Sequence, residues 1–370
     1  MNATNATILQ QKGRLSMTDP SDKLVHTIRA EQEPLAQRIV AQHYRERPQG
    51  CMPSAEPDRE KSVRDVGYHL SYLAEALAAS DPSLFAEYVA WARALFAGLG
   101  FPEDVLINTI ACTRDVLRDH LDPGHHAAVD RYLDAGLSAL DEAASTPPSH
   151  VQDDAPLGPL ARRYLEALLD GDRAAASQMI LEAADQGTPV REIYLHVFQP
   201  VQQEIGRLWQ TNQISVAQEH YCTAATQLIM SQLYPRIFAT RRTGHRLVAT
   251  CVGGELHEIG VRMVADFFEM EGWDTYYLGA NTPTESVLST VEERQPDVLG
   301  VSATITMHVS DVRALIDRVR ASAVGNGLKI LVGGYPFNTA SDLWRRVGAD
   351  GYAADAQQAT AVAQRWVSEG

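Results

Sequence analysis

A carboxylate and an imidazole stand two residues apart in Gly254-Glu255-Leu256-His257-Glu258-Ile259-Gly260. The stretch lies between the apolar run Arg246-Leu247-Val248-Ala249-Thr250-Cys251-Val252 and the run Val261-Arg262-Met263-Val264-Ala265-Asp266-Phe267-Phe268. Their periodicities predict strand, loop and helix. Ligands of open α/β sheets sit outside the carboxyl ends of the strands, where this loop would hold His257. Neutral imidazole is a good metal ligand, and its remaining ring N–H needs a fixed acceptor that sets the tautomer. Glu255 is the nearest candidate. Taken alone, a histidine after a strand is more often an ordinary loop residue.

Two further apolar runs end in small residues, Val301-Ser302-Ala303-Thr304 and Lys329-Ile330-Leu331-Val332-Gly333-Gly334. Taken in order on three strands, the elements resemble cobalamin-binding domains, which carry D-x-H-x-x-G, S-x-L and G-G. Glu255 stands where Asp is usual and Thr304 where Leu is typical, while His257 and Gly260 match. The resemblance implies that His257 replaces the cofactor's benzimidazole as lower axial ligand to cobalt. Ser302, Thr304, Gly333 and Gly334 would then line the slot for the displaced nucleotide tail, which needs small walls. H-x-x-G alone is a weak signal, and G-G after a strand is usually a turn.

A second constellation lies upstream, where Trp209 is followed after nine residues by Glu219-His220. In isolation it reads as a core tryptophan and an exposed Glu-His pair. Beside the His257 stretch it resembles the W-x9-E-H signature of the light-sensing, adenosylcobalamin-binding repressors of carotenoid genes. That resemblance implies Trp209 packed on the adenosyl group and Glu219 hydrogen-bonded to it. After light breaks the cobalt-carbon bond, His220 would take the vacated position opposite His257. An indole plate there excludes water and confines the radical pair. The bundle must move for His220 to arrive, so a change in domain packing is the expected signal.

The elements that position these residues divide the chain into a multidomain α and α/β protein. Residues 1–21 lack periodicity and an apolar signal-peptide core and read as a disordered leader. The N-x-T triplets at Asn2 and Asn5 would be glycosylation acceptors only in a secreted protein. From 22 to 144 the pattern is helical, with Leu70, Leu73 and Leu77 at helix spacing and Asp81-Pro82 as a helix start. Five or more helices fit there, an all-α domain of globin-like size. Residues 145–156, rich in Ser, Pro and Asp, read as a linker. Residues 157–240 fit a four-helix bundle. From 245 to 370, strands near Leu247, Thr275, Val298, Ile330 and Gly351 alternate with helices, the pattern of a Rossmann-like doubly wound parallel sheet.

The order of domains, with Val66-Gly67-Tyr68-His69-Leu70-Ser71-Tyr72-Leu73 followed by Asp81-Pro82-Ser83-Leu84-Phe85, resembles the photocobilins. These couple cobalamin to a bilin, which implies biliverdin in the N-terminal domain. A linear tetrapyrrole needs aromatic walls, a cation for its propionates and a polar partner for its pyrrole nitrogens. Trp91, Tyr72, Arg114 and His69 are the candidates, with Cys112 for covalent attachment. Each has an ordinary alternative as a core or surface residue, a buried structural cysteine being the commoner case.

Composition excludes other classes. A formal charge of −15 over 370 residues argues against direct nucleic-acid binding. No apolar run approaches a membrane span. Cys51, Cys112, Cys222 and Cys251 form neither a disulfide framework nor a zinc spacing, which suits the cytoplasm. The resulting expectation is a photoreceptor rather than an enzyme, assembled as a dimer and signalling to a downstream protein. No catalytic output domain is recognisable before residue 22 or after Gly370, so any controlled enzyme is expected to be a separate partner. The alternative is a corrinoid methyl-carrier protein for a methyltransferase, in which a tryptophan lid and a ligating His220 would be liabilities. A third reading is an adaptor that binds no cobalamin.

Overall fold

The computed structural model describes residues 20–46, 56–142, 144, 146–238, 240–325 and 327–369. Of the expected leader, only residues 20 and 21 are among them, at the start of the first helix; Asn2, Asn5 and Cys51 lie outside the described residues. The N-terminal domain comprises α1 (Pro20–Ala30), α2 (Gln32–Glu46), α3 (Glu56–Ala78), α4 (Pro82–Gly98), α5 (Asp104–His120) and α6 (His126–Glu142). Asp81 caps α4, accepting from the Ser83 N–H at 3.0 Å, and Pro82 occupies the first helical position, where no hydrogen-bonded N–H is required. Leu70, Leu73 and Leu77 face inward, as their spacing requires.

The bundle consists of α7 (Gly158–Leu169), α8 (Arg173–Asp185), α9 (Val190–Ile193), α10 (Gln199–Gln210) and α11 (Val216–Gln232). A π turn, Tyr194–Phe198, joins α9 to α10, so four helical rods result; α12 (Tyr234–Ile237) leads out. The segment ahead of the bundle is laid down rather than free. Val151 is buried in the bundle core, and the His150 N–H donates to Glu204 at 2.8 Å. Its Ser, Pro and Asp content predicts a linker; one apolar side chain and one backbone amide anchor it nonetheless.

The C-terminal domain alternates β1 (Arg246–Cys251), α13 (Ile259–Met270), β2 (Asp274–Gly279), α14 (Thr284–Arg294), β3 (Val298–Ser302), α15 (Val309–Arg320) and β4 (Lys329–Gly333). It continues with α16 (Tyr335–Thr339), α17 (Leu343–Arg346), β5 (Gly351–Tyr352) and α18 (Ala356–Ser368). All strands are parallel in the order β2-β1-β3-β4-β5. This is the doubly wound sheet that the alternation predicts. The order reverses between β1 and β3, so the crevice where a ligand would lie opens between the loops after them. Cys251 pairs with Ser302 and Ser302 with Gly333, which aligns the ends of the three motif strands.

The three domains pack together. Buried apolar side chains of the N-terminal domain and of one sheet face form one contiguous cluster, whereas the bundle core continues into Met263 and Phe267 of α13. Glu75 of α3 accepts from the Ser310 N–H at 3.2 Å and its hydroxyl at 2.6 Å, while also pairing with Arg29. The N-terminal domain thereby caps the first turn of α15 in another domain. Arg346 donates to Asp81 at 3.1 Å, and the Tyr335 hydroxyl to Glu87 at 2.7 Å.

Between bundle and sheet, the Tyr194 hydroxyl in the π turn donates to buried Asp266 at 2.8 Å, and Arg262 donates to Ser231 at 2.7 Å. Burial pushes the Asp266 carboxyl up to about 6, against the Tyr194 hydrogen bond and the Arg262 charge. A carboxyl raised in the fold binds its proton more tightly there than in the unfolded chain. The associated stability is present below about pH 4 and lost as pH rises to about 6, roughly 3 kcal/mol in all. Asp266→Asn is expected to abolish that slope in denaturant titrations across this window. An unchanged slope would place the titration elsewhere.

Candidate functional site

The loop after β1 is held rigidly. Gly254 has φ +86°, a backbone region that favours glycine, and a Cβ there would fall 3.0 Å from the His308 ring. Its N–H donates to the Asn281 side chain at 2.7 Å, and the Asn281 N–H returns to the Glu255 carbonyl at 2.8 Å. Glu255 is 0% exposed. Its carboxylate accepts from the His257 N–H at 2.9 Å, His257 Nδ1 at 2.6 Å, the Thr304 N–H at 2.7 Å and the Ile305 N–H at 3.0 Å. Burial opposes its ionisation, but these hydrogen bonds and the His257 imidazole outweigh it and hold the carboxyl near 2. With Nδ1 donating to Glu255, Nε2 is the ring nitrogen left to ligate. The His257 side chain is 56% exposed, so the ring is open to a ligand rather than packed in the core.

The other motif residues act largely through the backbone. Thr304 contributes its N–H to Glu255, a contact any side chain at that position allows. Ser302 lies half-buried at the end of β3. A Cβ at Gly333 would approach the Ala353 carbonyl to 3.1 Å, and one at Gly334, φ +109°, would overlap the Ala303 carbonyl at 1.9 Å. The glycine pair is thus demanded by close approach of neighbouring chain. Gly260 differs: a Cβ there would meet nothing within 4 Å, leaving open space before the first turn of α13. An imidazole of fixed tautomer beside open space at the sheet's switch point fits a cobalamin bound through His257.

The second constellation lies in the bundle. Trp209 ends α10 and is 36% exposed, so it is not a core tryptophan. Ser215 caps α11 in a reciprocal capping box with Gln218, fixing the turn from Trp209 to Glu219-His220. His220 Nδ1 donates to Glu219 at 2.5 Å, its side chain is 75% exposed, and Nε2 again points away. Each histidine therefore carries its own carboxylate on Nδ1. Glu219 also accepts from the Thr223 hydroxyl at 2.9 Å.

In the N-terminal domain, His69, Tyr72 and Trp91 converge around Tyr88. The Tyr88 hydroxyl and His69 Nδ1 are hydrogen-bonded at 2.7 Å, and the Tyr72 and Tyr88 rings stack at 3.7 Å. Trp91 continues the row at 6.3 Å from Tyr88 and meets Trp209 of the bundle at 6.3 Å. Burial lowers His69 to about 4, so it is a neutral hydrogen-bonding group. Burial, reinforced by the Glu255 charge, pushes Tyr72 up to about 12. Cys112 and Arg114 lie apart from this row. Cys112 is buried on α5 with its thiol 3.7 Å from Glu46, and Arg114 pairs with Asp130 and Asp134. A groove of about 980 Å³ beside α1, α2 and α3, reaching Met307, contains none of the candidates.

Sequence reasoning missed Tyr88, Glu258 and Gln227. Tyr88 is one of several apolar positions on its helix, and only the fold shows which of them meets His69. Glu258, next to His257, accepts from Gln227 of α11 at 2.9 Å, the Tyr277 hydroxyl at 2.7 Å and the Ala280 N–H at 3.1 Å.

Family models and corrinoid proteins match parts of the chain. Residues 245–361 and 160–234 each match a B12 binding domain, and residues 4–140 match a phycobilisome protein. A corrinoid protein of Desulfitobacterium hafniense is 23% identical over 205 residues, covering 54% of this chain and 94% of its own length. Monomethylamine corrinoid protein 1 of Methanosarcina mazei is 29% identical over 208 residues, with the same coverages. The structure of the Methanosarcina barkeri monomethylamine corrinoid protein aligns with a TM-score of 0.49 at 23% identity, covering 55% of this chain and 96% of that one. The chain thus carries a cobalamin-binding module, made of a helical bundle and a Rossmann-like sheet, preceded by a helical domain that is similar to a phycobilisome protein.

Proposed function

We propose that the protein is a non-catalytic light sensor that holds adenosylcobalamin between bundle and sheet and biliverdin in its N-terminal domain. The observation that carries this reading is the pair of carboxylate-held imidazoles, one on the sheet loop and one on the cap helix. Bound adenosylcobalamin supplies a photolabile cobalt-carbon bond. Glu255 keeps the His257 Nδ1–H in place so that Nε2 would be the nitrogen that holds the cobalt, and Trp209 would shield the bound group from water. Glu219 orients His220, which would be a second imidazole available to hold the cobalt. A movement of the bundle that brings His220 in would be passed to the N-terminal domain by the Trp91 and Trp209 contact. The aromatic row of His69, Tyr72, Tyr88 and Trp91 supports a tetrapyrrole site there, as does the match to a phycobilisome protein. A downstream protein would read the change, from a dimer in the cytoplasm.

The named relatives favour a second reading, a corrinoid carrier serving a methyltransferase, since corrinoid proteins align over 94% of their own length. A carrier must open its upper face to the partner enzyme, whereas Trp209 and His220 furnish a lid and a competing ligand. The discriminating experiment is an absorbance spectrum of protein loaded with adenosylcobalamin and biliverdin, in darkness and after green light. An irreversible shift of the cobalamin band beside a separate red band is the expected result. A light-insensitive band, with methyl transfer from bound methylcobalamin to a thiol in darkness, would establish the carrier instead.

A further inference from the structure

Glu258 stands at the N-cap position of α13 yet makes no capping hydrogen bond to its own helix. Its carboxylate turns instead to three other elements: Gln227 on the cap helix, Tyr277 on β2 and the Ala280 N–H beyond β2. Gln227 is half-buried and lies on the same face of α11 as Thr223 and Glu219, four and eight residues earlier. Eight residues of helix span about 12 Å. Hydrogen bonds therefore join His220 to Glu219 and Glu219 to Thr223, and one turn further along the same face of α11 Gln227 reaches Glu258, the residue bonded to His257 in sequence.

We propose that Gln227 and Glu258 are positioning residues that set the spacing between the cap helix and the His257 loop, and so decide whether His220 can reach the metal while His257 holds it. The proposal rests on the reading of His257 and His220 as axial ligands. The two ends of α11 have different surroundings. Near Gln227 the helix is tied to the loop, whereas Glu219 and His220 sit by the first turn, where His220 is mostly exposed. The first turns are held within the bundle, by the Tyr221 hydroxyl on the Gly171 carbonyl and by Thr223 on Gln202 at 3.3 Å, so α11 is carried with the bundle and its height over the His257 loop is set where Gln227 meets Glu258. The Gln227 and Glu258 contact acts beside the Arg262–Ser231 and Tyr194–Asp266 contacts that hold bundle on sheet, and it reaches the residue next to His257; removing it leaves the bundle docked and the His257 loop braced by Glu255 and Asn281 but loosens the spacing between α11 and that loop.

Hydroxocobalamin tests this in darkness, because its upper ligand exchanges without light. Wild-type protein mixed with hydroxocobalamin should develop an upper-ligation spectrum that His220→Ala lacks. After reduction to the cobalt(II) state, nitrogen splitting in the electron paramagnetic resonance spectrum should report His257 from below. Gln227→Ala is expected to keep that nitrogen splitting while slowing upper ligation at least about tenfold, as for other residues that orient a ligand at one remove. Gln227→Lys, which keeps a donor to Glu258, should recover most of the wild-type rate. Upper ligation at the wild-type rate in Gln227→Ala would overturn the proposal, as would loss of both signatures together. Absence of His220-dependent ligation in the wild-type protein would instead remove the axial-ligand reading beneath it.

Discussion

Glu255→Ala is expected to lower folding stability near neutral pH by about 3 kcal/mol, because the Thr304 and Ile305 N–H groups lose their buried acceptor. The same carboxylate ties the loop after β1 to the loop after β3, so its loss loosens both walls of the crevice. The pH dependence has a definite sign. Glu255 is held near 2 in the fold, below its ordinary value of 4.5. Its contribution is therefore complete above about pH 4.5 and is lost as pH falls towards 2. Denaturant titration of wild type and variant from pH 7 to pH 2 should show the gap closing as acid is added. A gap under about 0.5 kcal/mol at pH 7, the size of an ordinary surface substitution, would contradict the assigned role.

His257→Ala should separate ligation from folding. The side chain is more than half exposed, and its removal leaves the backbone amides on Glu255 in place, so the fold should survive. Cobalamin affinity should fall by at least about 100-fold, the upper end of what loss of a mere orienting partner costs. That factor corresponds to about 2.7 kcal/mol of binding free energy. Absorbance titration of the apoprotein measures it directly. Free imidazole, which can enter the space left by the side chain, should restore part of the affinity. Affinity within about threefold of wild type would mean that His257 does not bear on the metal, since one kcal/mol already exceeds that factor.

How much of this was legible in the sequence differs by element. The order of strands and helices after residue 245 was, because β1, β3 and β4 are short apolar runs closed by glycine or a polar loop, and the observed sheet follows it. Glu255 as the acceptor for His257 was also legible, two residues being a reach a carboxylate can cover. Its other two donors were not, since Thr304 and Ile305 lie about fifty residues downstream and meet it only through the β1 to β3 pairing. Thr304 looked like a departure from the expected Leu, yet its contribution is a backbone N–H, which a side-chain pattern cannot register. The convergence of His69, Tyr72 and Trp91 was partly readable as one aromatic helical region, but its centre, Tyr88, has the same spacing as ordinary core positions. Cys112 and Arg114 have suitable chemistry for a bilin, but the geometry of α5 turns them towards Glu46 and towards Asp130 and Asp134. Contacts between domains, such as Glu75 on Ser310 and Glu258 with Gln227, leave no periodic trace at all.

The central claim is that His220 of the cap and His257 of the sheet loop serve opposite faces of one cobalamin. It is tested most directly by absorbance spectra of adenosylcobalamin-loaded wild type and His220→Ala, before and after green light. The two proteins should bind cobalamin alike in darkness, and only the wild type should reach a stable light-adapted spectrum. The same stable light-adapted spectrum in His220→Ala, or no light response in either protein with cobalamin still bound, would contradict it.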